Sequence, residues 1–238
     1  MKPERLPALL LSASLVTAIS VHIVAATGLA GETALDYRPL PAAYAKRMAT
    51  DFDALWADMA WLALLQHDGA VVAVPEGERR FGDLEAGLDT ITTLDPDYMV
   101  AYSFGCWALG DAGLPKPAAA LLERGLRHRP GDRVLLFQLG FVRYLLLKDI
   151  DGAIHAFEAA GRPDAEPRLQ SLARNALRMA AGLAERRHDP DLARQLWLAI
   201  ESDARQRGDE RLAGMARRAL DRLRRERASV TAPDLAGR

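Results

Sequence analysis

Cysteine is almost absent from this sequence, in which Cys106 is the only one among 238 residues. An internal disulfide is therefore excluded, and so is a zinc site built from thiolates. Because Cys106 lies in an apolar helical stretch, we expect it to be a small buried hydrophobic residue.

Aromatic residues make up only 6% of the chain, and long runs of β-branched residues are missing outside an apolar stretch near the N-terminus. Alanine, leucine and arginine dominate instead. These residues lose little conformational freedom on entering a helix. The composition therefore predicts an all-α fold.

Net charge is also small, −1 at pH 7, which argues against a nucleic-acid binder. The charges are unevenly placed, however. Residues 51–97 carry eleven acidic and two basic side chains, whereas residues 205–227 carry nine arginines and four acidic side chains. Two interpretations stay open: solvated faces of opposite sign, or patches that steer partners or anionic lipid headgroups.

Motifs for catalysis or metal binding are missing. The five histidines include no pair four residues apart, and neither a phosphate-binding loop nor a Gly-x-Ser-x-Gly sequence is present. Residues 149–152 resemble a fragment of a calcium loop, but the other ligands are missing, which favours a hairpin turn. We therefore expect no catalytic residue, cofactor, metal or small-molecule substrate, and predict that the protein is not an enzyme.

The N-terminal segment, residues 1–31, contains an uncharged apolar run over residues 8–30, long enough to cross a bilayer as a helix. It predicts a retained transmembrane anchor, with a cleaved signal peptide ending near Ala30 as the alternative. Lys2 and Arg5 precede the run, so the N-terminus is expected in the cytoplasm and the rest across the membrane. This predicts a single-pass inner-membrane protein with a periplasmic domain, or a protein secreted to the periplasm.

The remaining chain reads as a linker followed by helices. Residues 32–49 are predicted as a linker, stiffened by Pro39 and Pro41, although the pattern is already helical from Ala42. A helix with an apolar stripe follows, and a loop is predicted from His67 to Gly82. The predicted helical hairpins are 99–110 with 118–128, 133–147 with 153–160, and 169–186 with 192–205. A last helix over 206–228 and a disordered tail over 229–238 complete the chain.

An internal repeat of about 34 residues runs through the middle of the sequence. Pro96 recurs as Pro130, Gly105 as Gly140, and the run from Ala118 recurs from Ala153. A fixed period in this range indicates stacked helical hairpins, none of which buries its apolar face alone.

These residues resemble the tetratricopeptide repeat. The pattern places Leu-Gly in a first helix, then in the second helix an Ala separated by three residues from an aromatic, and here Leu139-Gly140 is followed by Ala153 and Phe157. The small residue lets the partner helix approach, and the bulky one fills the gap beside it. The resemblance covers residues 50–205 and implies an α-solenoid of helical hairpins, preceded by the N-terminal apolar helix and closed by a capping helix.

The resemblance also implies that the first helix of each hairpin lines a concave groove that binds a partner. The predicted groove residues are Trp61, Tyr102, Phe137, Phe141 and Tyr144, with Asn175, Arg178 and Glu185 making its far end polar. Three interpretations stay open: a partner segment fills the groove, the chain's own residues 40–48 cover it, or these side chains are ordinary core. A second candidate, the basic surface, comprises Arg217, Arg218, Arg222, Arg224 and Arg225, with a solubilising cap as the alternative.

Stacked helical repeats bind proteins far more often than they catalyse reactions. We therefore expect a membrane-anchored periplasmic scaffold or adaptor that recognises protein partners in the assembly or stabilisation of an envelope complex. The alternatives are a cleaved, soluble periplasmic adaptor and an accessory structural subunit of a membrane enzyme complex.

Overall fold

The computed structural model describes residues 37–72, 82–163 and 166–231, and every regular element in these ranges is a helix. The all-α prediction is confirmed for them. Within these ranges, none of the helices combines the length and apolar character needed to cross a bilayer. The predicted anchor over residues 8–30 lies outside the described residues. The chain divides into a first unit, Met1–Ala101, and a second unit, Tyr102–Arg238.

Three helices make up most of the described part of the first unit: α1 (Ala42–Ala49), α2 (Asp53–Val72) and α3 (Gly82–Leu94), with α3 packed against both others. Helix α4 (Met99–Asp111) begins in this unit and ends in the second. Residues 42–49, the end of the predicted linker, are thus helical, and they bury Ala45 and Ala49 in a small apolar cluster. That part of the segment belongs to the core of the first unit.

Helix α2 continues six residues into the region predicted as a loop. His67 is only 2% exposed, and its ring centroid lies 5.0 Å from that of Tyr37. Packing of this imidazole outweighs the weak helix preference of the residues around it, so the helix reaches Val72. The rest of the predicted loop, residues 73–81, lies outside the described part of the chain.

The second unit is a series of helices that pack in chain order. They are α5 (Pro115–His128), α6 (Arg133–Phe141), α7 (Ile150–Ala160), α8 (Gln170–Arg186), α9 (Pro190–Gln206) and α10 (Glu210–Thr231). From α5 to α10 each helix contacts the next, and α6 also contacts α8. Residues 229–231, predicted as the start of a tail, thus continue α10, and the remainder of that tail is not among the described residues.

The helix starts follow from proline and aspartate. Helices α5 and α9 begin at Pro115 and Pro190, because a proline in the first turn has no N–H to leave unpaired. Asp132 caps α6, and its carboxylate accepts hydrogen bonds from two backbone N–H groups at 3.0 and 3.1 Å. Asp149 caps α7 in the same way through the N–H of Gly152. Helix α7 therefore begins at Ile150, and of residues 149–152, predicted as a hairpin turn, only Asp149 precedes the helix.

Helix α6 ends differently from its prediction as one α-helix to residue 147. After Phe141 the chain continues as a π-helical turn, Val142–Leu146, in which the N–H of Leu147 donates to the carbonyl of Val142 at 3.1 Å. This wider turn holds one more residue than an α-helical turn and leads into Lys148 at a φ of 58°. It therefore shifts Tyr144 from the position that a regular helix would give it.

Close approach of the helices depends on small residues, as the sequence predicts. A Cβ on Gly140 would lie 2.7 Å from the ring of Phe157, and a Cβ on Gly125 would lie 3.0 Å from Tyr102. Phe157 and Tyr102 are fully buried. The expectation that a small residue faces a bulky one across each hairpin is confirmed for α6 and α7.

Candidate protein-interaction surface

The five predicted groove residues divide between the two units. Trp61 lies in the first unit, half-buried, with its ring centroid 5.9 Å from that of Tyr98. Tyr102 has no exposed surface and packs over Gly125, so it is a core residue and lines no accessible groove. The interpretation of Tyr102 as ordinary core is therefore the one that the structure supports.

Helix α4 turns a different face outward from the one assigned to the groove. Cys106 and Leu109, one and two helical turns beyond Tyr102, are 0% and 1% exposed, whereas Trp107 is 42% exposed. Burial raises the pKa of the Cys106 thiol to about 12, and its Sγ lies 3.3 Å from the carbonyl of Ser103. The expectation that Cys106 is a small buried hydrophobic residue is confirmed.

Phe137 and Phe141 belong to an aromatic cluster at the surface of the second unit. Their ring centroids are 4.9 Å apart, and each meets Phe157 edge-on, at 5.6 and 5.3 Å. Trp107 extends the cluster, with its ring centroid 6.4 Å from that of Phe141. Since Phe157 is fully buried while Phe137 and Phe141 are half-buried, the cluster joins the core to the surface and holds its outer rings in place.

An apolar cavity of about 320 Å³ opens beside this cluster. It is lined by Phe137, Phe141, Asn175, Arg178, Met179, Trp197 and Met215. Apart from Trp197 on α9, these residues come from α6, α8 and α10, which alternate along the chain. The indole N–H of Trp197 donates to Glu185 at 2.6 Å, which fixes the ring. The cavity is thus a surface that two hairpins and the last helix build together.

A basic recess of about 280 Å³ adjoins the apolar cavity and shares Asn175, Arg178 and Met215 with it. Its other lining residues are Arg174, Asp209, Arg211 and Leu212. Arg178 donates a long hydrogen bond of 3.4 Å to Asn175. The only carboxylate in the recess, that of Asp209, caps α10 by accepting the N–H of Leu212 at 3.0 Å. The cavity and the recess together are called the groove below.

Tyr144 lies near the groove but is not among the residues that line either part of it. The guanidinium of Arg186 lies 5.7 Å from the centre of the Tyr144 ring and donates to its hydroxyl at 2.5 Å. These contacts stabilise the half-buried ring on the π-helical turn.

The sequence predicted Phe137 and Phe141 as groove residues but not Met179, Trp197 and Met215, because the spacing of these three resembles that of the core residues around them.

The predicted basic surface is partly neutralised by acidic side chains. Arg217 lies 3.2 Å from Glu210, and Arg222 lies 2.7 Å from Glu185. Arg218 and Arg225 are exposed, and no ion pair joins them to another described residue. The opposite face of α10 buries Leu212, Leu220 and Leu223 in the core. Helix α10 thus covers the core with its apolar face, and Arg218 and Arg225 leave positive charge on its outer face.

The chemistry of the groove is that of apolar contact and positive charge. Within the described ranges, no cluster of three or more His, Cys, Asp or Glu side chains is arranged to hold a metal ion. The groove offers instead two phenylalanines, two methionines and three arginines.

In comparisons with known proteins, no family model matches this chain, and no curated protein matches it either.

Proposed function

We propose that the protein is a scaffold or adaptor that recognises protein partners through a stack of tetratricopeptide-like hairpins in its second unit. The observation that carries this proposal is the apolar cavity, to which the alternating helices α6, α8 and α10 contribute Phe137, Met179 and Met215. In an α-solenoid, alternating helices share one surface, and that surface is where partners dock. The contacts between consecutive helices support the same architecture.

The composition of the cavity supports a protein ligand. Aromatic and methionine side chains are enriched where protein interfaces bury their central contacts. The edge-on packing against Phe157 already orders Phe137 and Phe141, so binding would cost little side-chain entropy at these positions. Met179 and Met215 can adapt to the shape of a partner because their side chains are unbranched and flexible.

We propose that the repeat domain acts in the periplasm, attached to the inner membrane by residues 8–30. The uncharged run and the preceding Lys2 and Arg5 support this topology. The alternative is a soluble periplasmic adaptor whose signal peptide has been cleaved. Mass spectrometry of the mature N-terminus distinguishes the two, because cleavage near Ala30 would remove the anchor and exclude the membrane-bound form.

Exposed apolar side chains in the first unit favour a second candidate, an accessory structural subunit of a membrane enzyme complex. At the start of helix α2 and along it, Phe52, Leu55 and Leu62 are 63%, 51% and 59% exposed. Such a surface suits permanent burial against another subunit. Gel filtration in mild detergent would separate a stable complex of this kind from a free adaptor that binds its partners transiently.

Site-specific photo-crosslinking in cells tests the proposed docking surface. A benzoylphenylalanine at Met215 would sit at the groove, and the same probe at Leu198, which is 42% exposed and outside the groove, is the control. We expect discrete protein adducts from position 215 and none of the same mass from position 198. Absence of adducts at 215, or the same adducts at both positions, would contradict the proposal.

A further inference from the structure

Three arginines line the basic recess of the groove. Many arginines elsewhere in the second unit lie beside carboxylates, in pairs that include Arg143–Glu123, Arg187–Asp151, Arg205–Glu201, Arg207–Asp203, Arg217–Glu210 and Arg222–Glu185. Others, such as Arg218 and Arg225, are exposed without an ion pair to a described residue, but they do not line the groove. Among the described residues, no carboxylate forms an ion pair with Arg174, Arg178 or Arg211. Positive charge therefore collects in the basic recess.

The position of this charge relates it to the apolar cavity. Arg178 lines both parts of the groove, so a side chain seated between Phe137 and Met215 would have a guanidinium beside it. Three arginines face one aspartate in the recess, and that carboxylate is already engaged as the cap of α10. The groove thus presents apolar surface and unbalanced positive charge side by side.

We propose, building on the proposed function, that the groove binds an amphipathic segment of a partner protein with acidic residues next to its apolar ones. The apolar side chains fill the cavity, and internal Asp or Glu side chains pair with Arg174, Arg178 and Arg211. Arginine suits this task because its planar guanidinium matches the geometry of a carboxylate. A helical segment places apolar and acidic residues on adjacent faces, as the two parts of the groove require.

A protein segment fits the groove better than a lipid does. The cavity, at about 320 Å³, is near the lower limit of the roughly 300–1,000 Å³ that small-molecule sites occupy. One or two protein side chains suit this volume, whereas a diacyl lipid requires room for two long chains. Binding to anionic vesicles is nevertheless one outcome of the test below.

Binding of synthetic peptides to the full chain in mild detergent tests the inference. The probe is an 18-residue helical peptide with leucines on one face and glutamates flanking that face. Its ends are acetylated and amidated, which removes the terminal charges. Matched peptides carry glutamine in place of glutamate, or serine in place of leucine. Because each exposed ion pair contributes little, we expect two of them to make the glutamate peptide bind about fivefold more tightly than the glutamine peptide. Fluorescence anisotropy measures both affinities.

Two double charge reversals localise the effect. Arg174→Glu with Arg178→Glu is expected to abolish the preference for the glutamate peptide. Arg127→Glu with Arg194→Glu is the control, because both of these arginines are exposed and neither lines the groove. Circular dichroism and the thermal midpoint confirm that each variant is folded. Loss of the preference in the control as well would overturn the proposal.

The remaining outcomes are equally decisive. Equal affinity for the glutamate and glutamine peptides, or no binding of either, would overturn the acidic-segment inference. The inference would also be overturned if no peptide binds and the protein instead binds tightly to phosphatidylglycerol vesicles, with that binding lost in the Arg174→Glu, Arg178→Glu variant. If crosslinking at Met215 still yields discrete adducts in those cases, the proposed scaffold function survives while this inference fails.

Discussion

The two units of the chain differ in what they leave exposed. The first unit presents many large apolar side chains, namely Leu40, Tyr44, Met48, Phe52, Leu55, Leu62, Leu65 and Val100. Among the described residues of the larger second unit, the corresponding side chains are Trp107, Leu145, Leu146 and Leu198. Much of the second unit's surface carries arginine–carboxylate pairs instead, such as the pair of Arg222 and Glu185.

Helices α2 and α10 illustrate this difference. Helix α10 has one apolar face, which packs against α9, and one charged face. Helix α2 is apolar on both sides: Leu64 is fully buried, while Leu62 is 59% exposed. A helix that is apolar all round is normally covered on all sides. The contrast shows that α10 buries its apolar face and exposes its charged face, whereas α2 has more apolar surface than the described helices around it bury.

The largest expected effect in this comparison comes from the core of the second unit. Phe157→Ala removes a fully buried ring that supports Phe137 and Phe141, and we expect a loss of about 3–5 kcal/mol in the free energy of unfolding. Urea denaturation of the variant and of the unmodified protein measures this loss. Leu145→Ala, at a position 44% exposed, is the control and should change stability by less than about 0.5 kcal/mol. A loss below about 1 kcal/mol for Phe157→Ala would show that the cluster does not depend on this ring.

Two leucines on helix α2 sharpen the comparison within the first unit. Leu64→Ala should cost about 2–5 kcal/mol, because the side chain is fully buried. Leu62→Ala should change stability by less than about 0.5 kcal/mol, since most of that side chain already faces solvent. Equal losses for the two variants in urea denaturation would mean that the outer face of α2 is covered in solution, and the contrast between the units would disappear.

Two glycines of the second unit test the close helix contacts. Gly140→Ala places a methyl group 2.7 Å from the ring of Phe157, so we expect a loss of about 1–3 kcal/mol. A methyl group on Gly182, inside α8, would meet no atom of a neighbouring element within 4 Å, so Gly182→Ala should stabilise the protein by about 0.5–1 kcal/mol. The thermal midpoints should therefore move in opposite directions. A shift of the same sign in both would refute the role assigned to Gly140.

The smallest effect concerns the ion pairs on the surface of the second unit. Arg222→Gln removes the contact of 2.7 Å with Glu185, and we expect a loss of about 0.2–1 kcal/mol, because the arginine is half exposed. The difference from the unmodified protein should shrink in about 1 M salt, where such charges are screened. A loss that is larger and independent of salt would indicate that Arg222 contributes through packing instead.

Much of the helical pattern could be predicted from local sequence. The predicted start of α6 at residue 133 is confirmed and follows from the cap Asp132. Helix α7 begins after the cap Asp149, three residues before its predicted start at 153. The match between Gly140 and Phe157 followed from the repeat, because a close helix contact requires a small residue opposite a large one. These features depend on residues within one hairpin, so the sequence contains the information needed to predict them.

The candidate site was less predictable, because it depends on contacts between distant residues. Helix α4 is apolar on more than one face, and periodicity does not say which face is buried. Tyr102 is therefore core while Trp107 is exposed. The π-helical turn at Val142–Leu146 and the extension of α2 past His67 likewise depend on packing that no local motif records.

The amino-acid sequence by itself determined that the described chain is helical and where most helices begin, because propensities, caps and spacings act over a few residues. Only the tertiary structure decided which arginines pair with carboxylates and which, like Arg178, border an apolar cavity. The physical reason is distance along the chain. Phe137 and Met215 come from helices far apart in the sequence, α6 and α10, and line one cavity only after the intervening helices have packed.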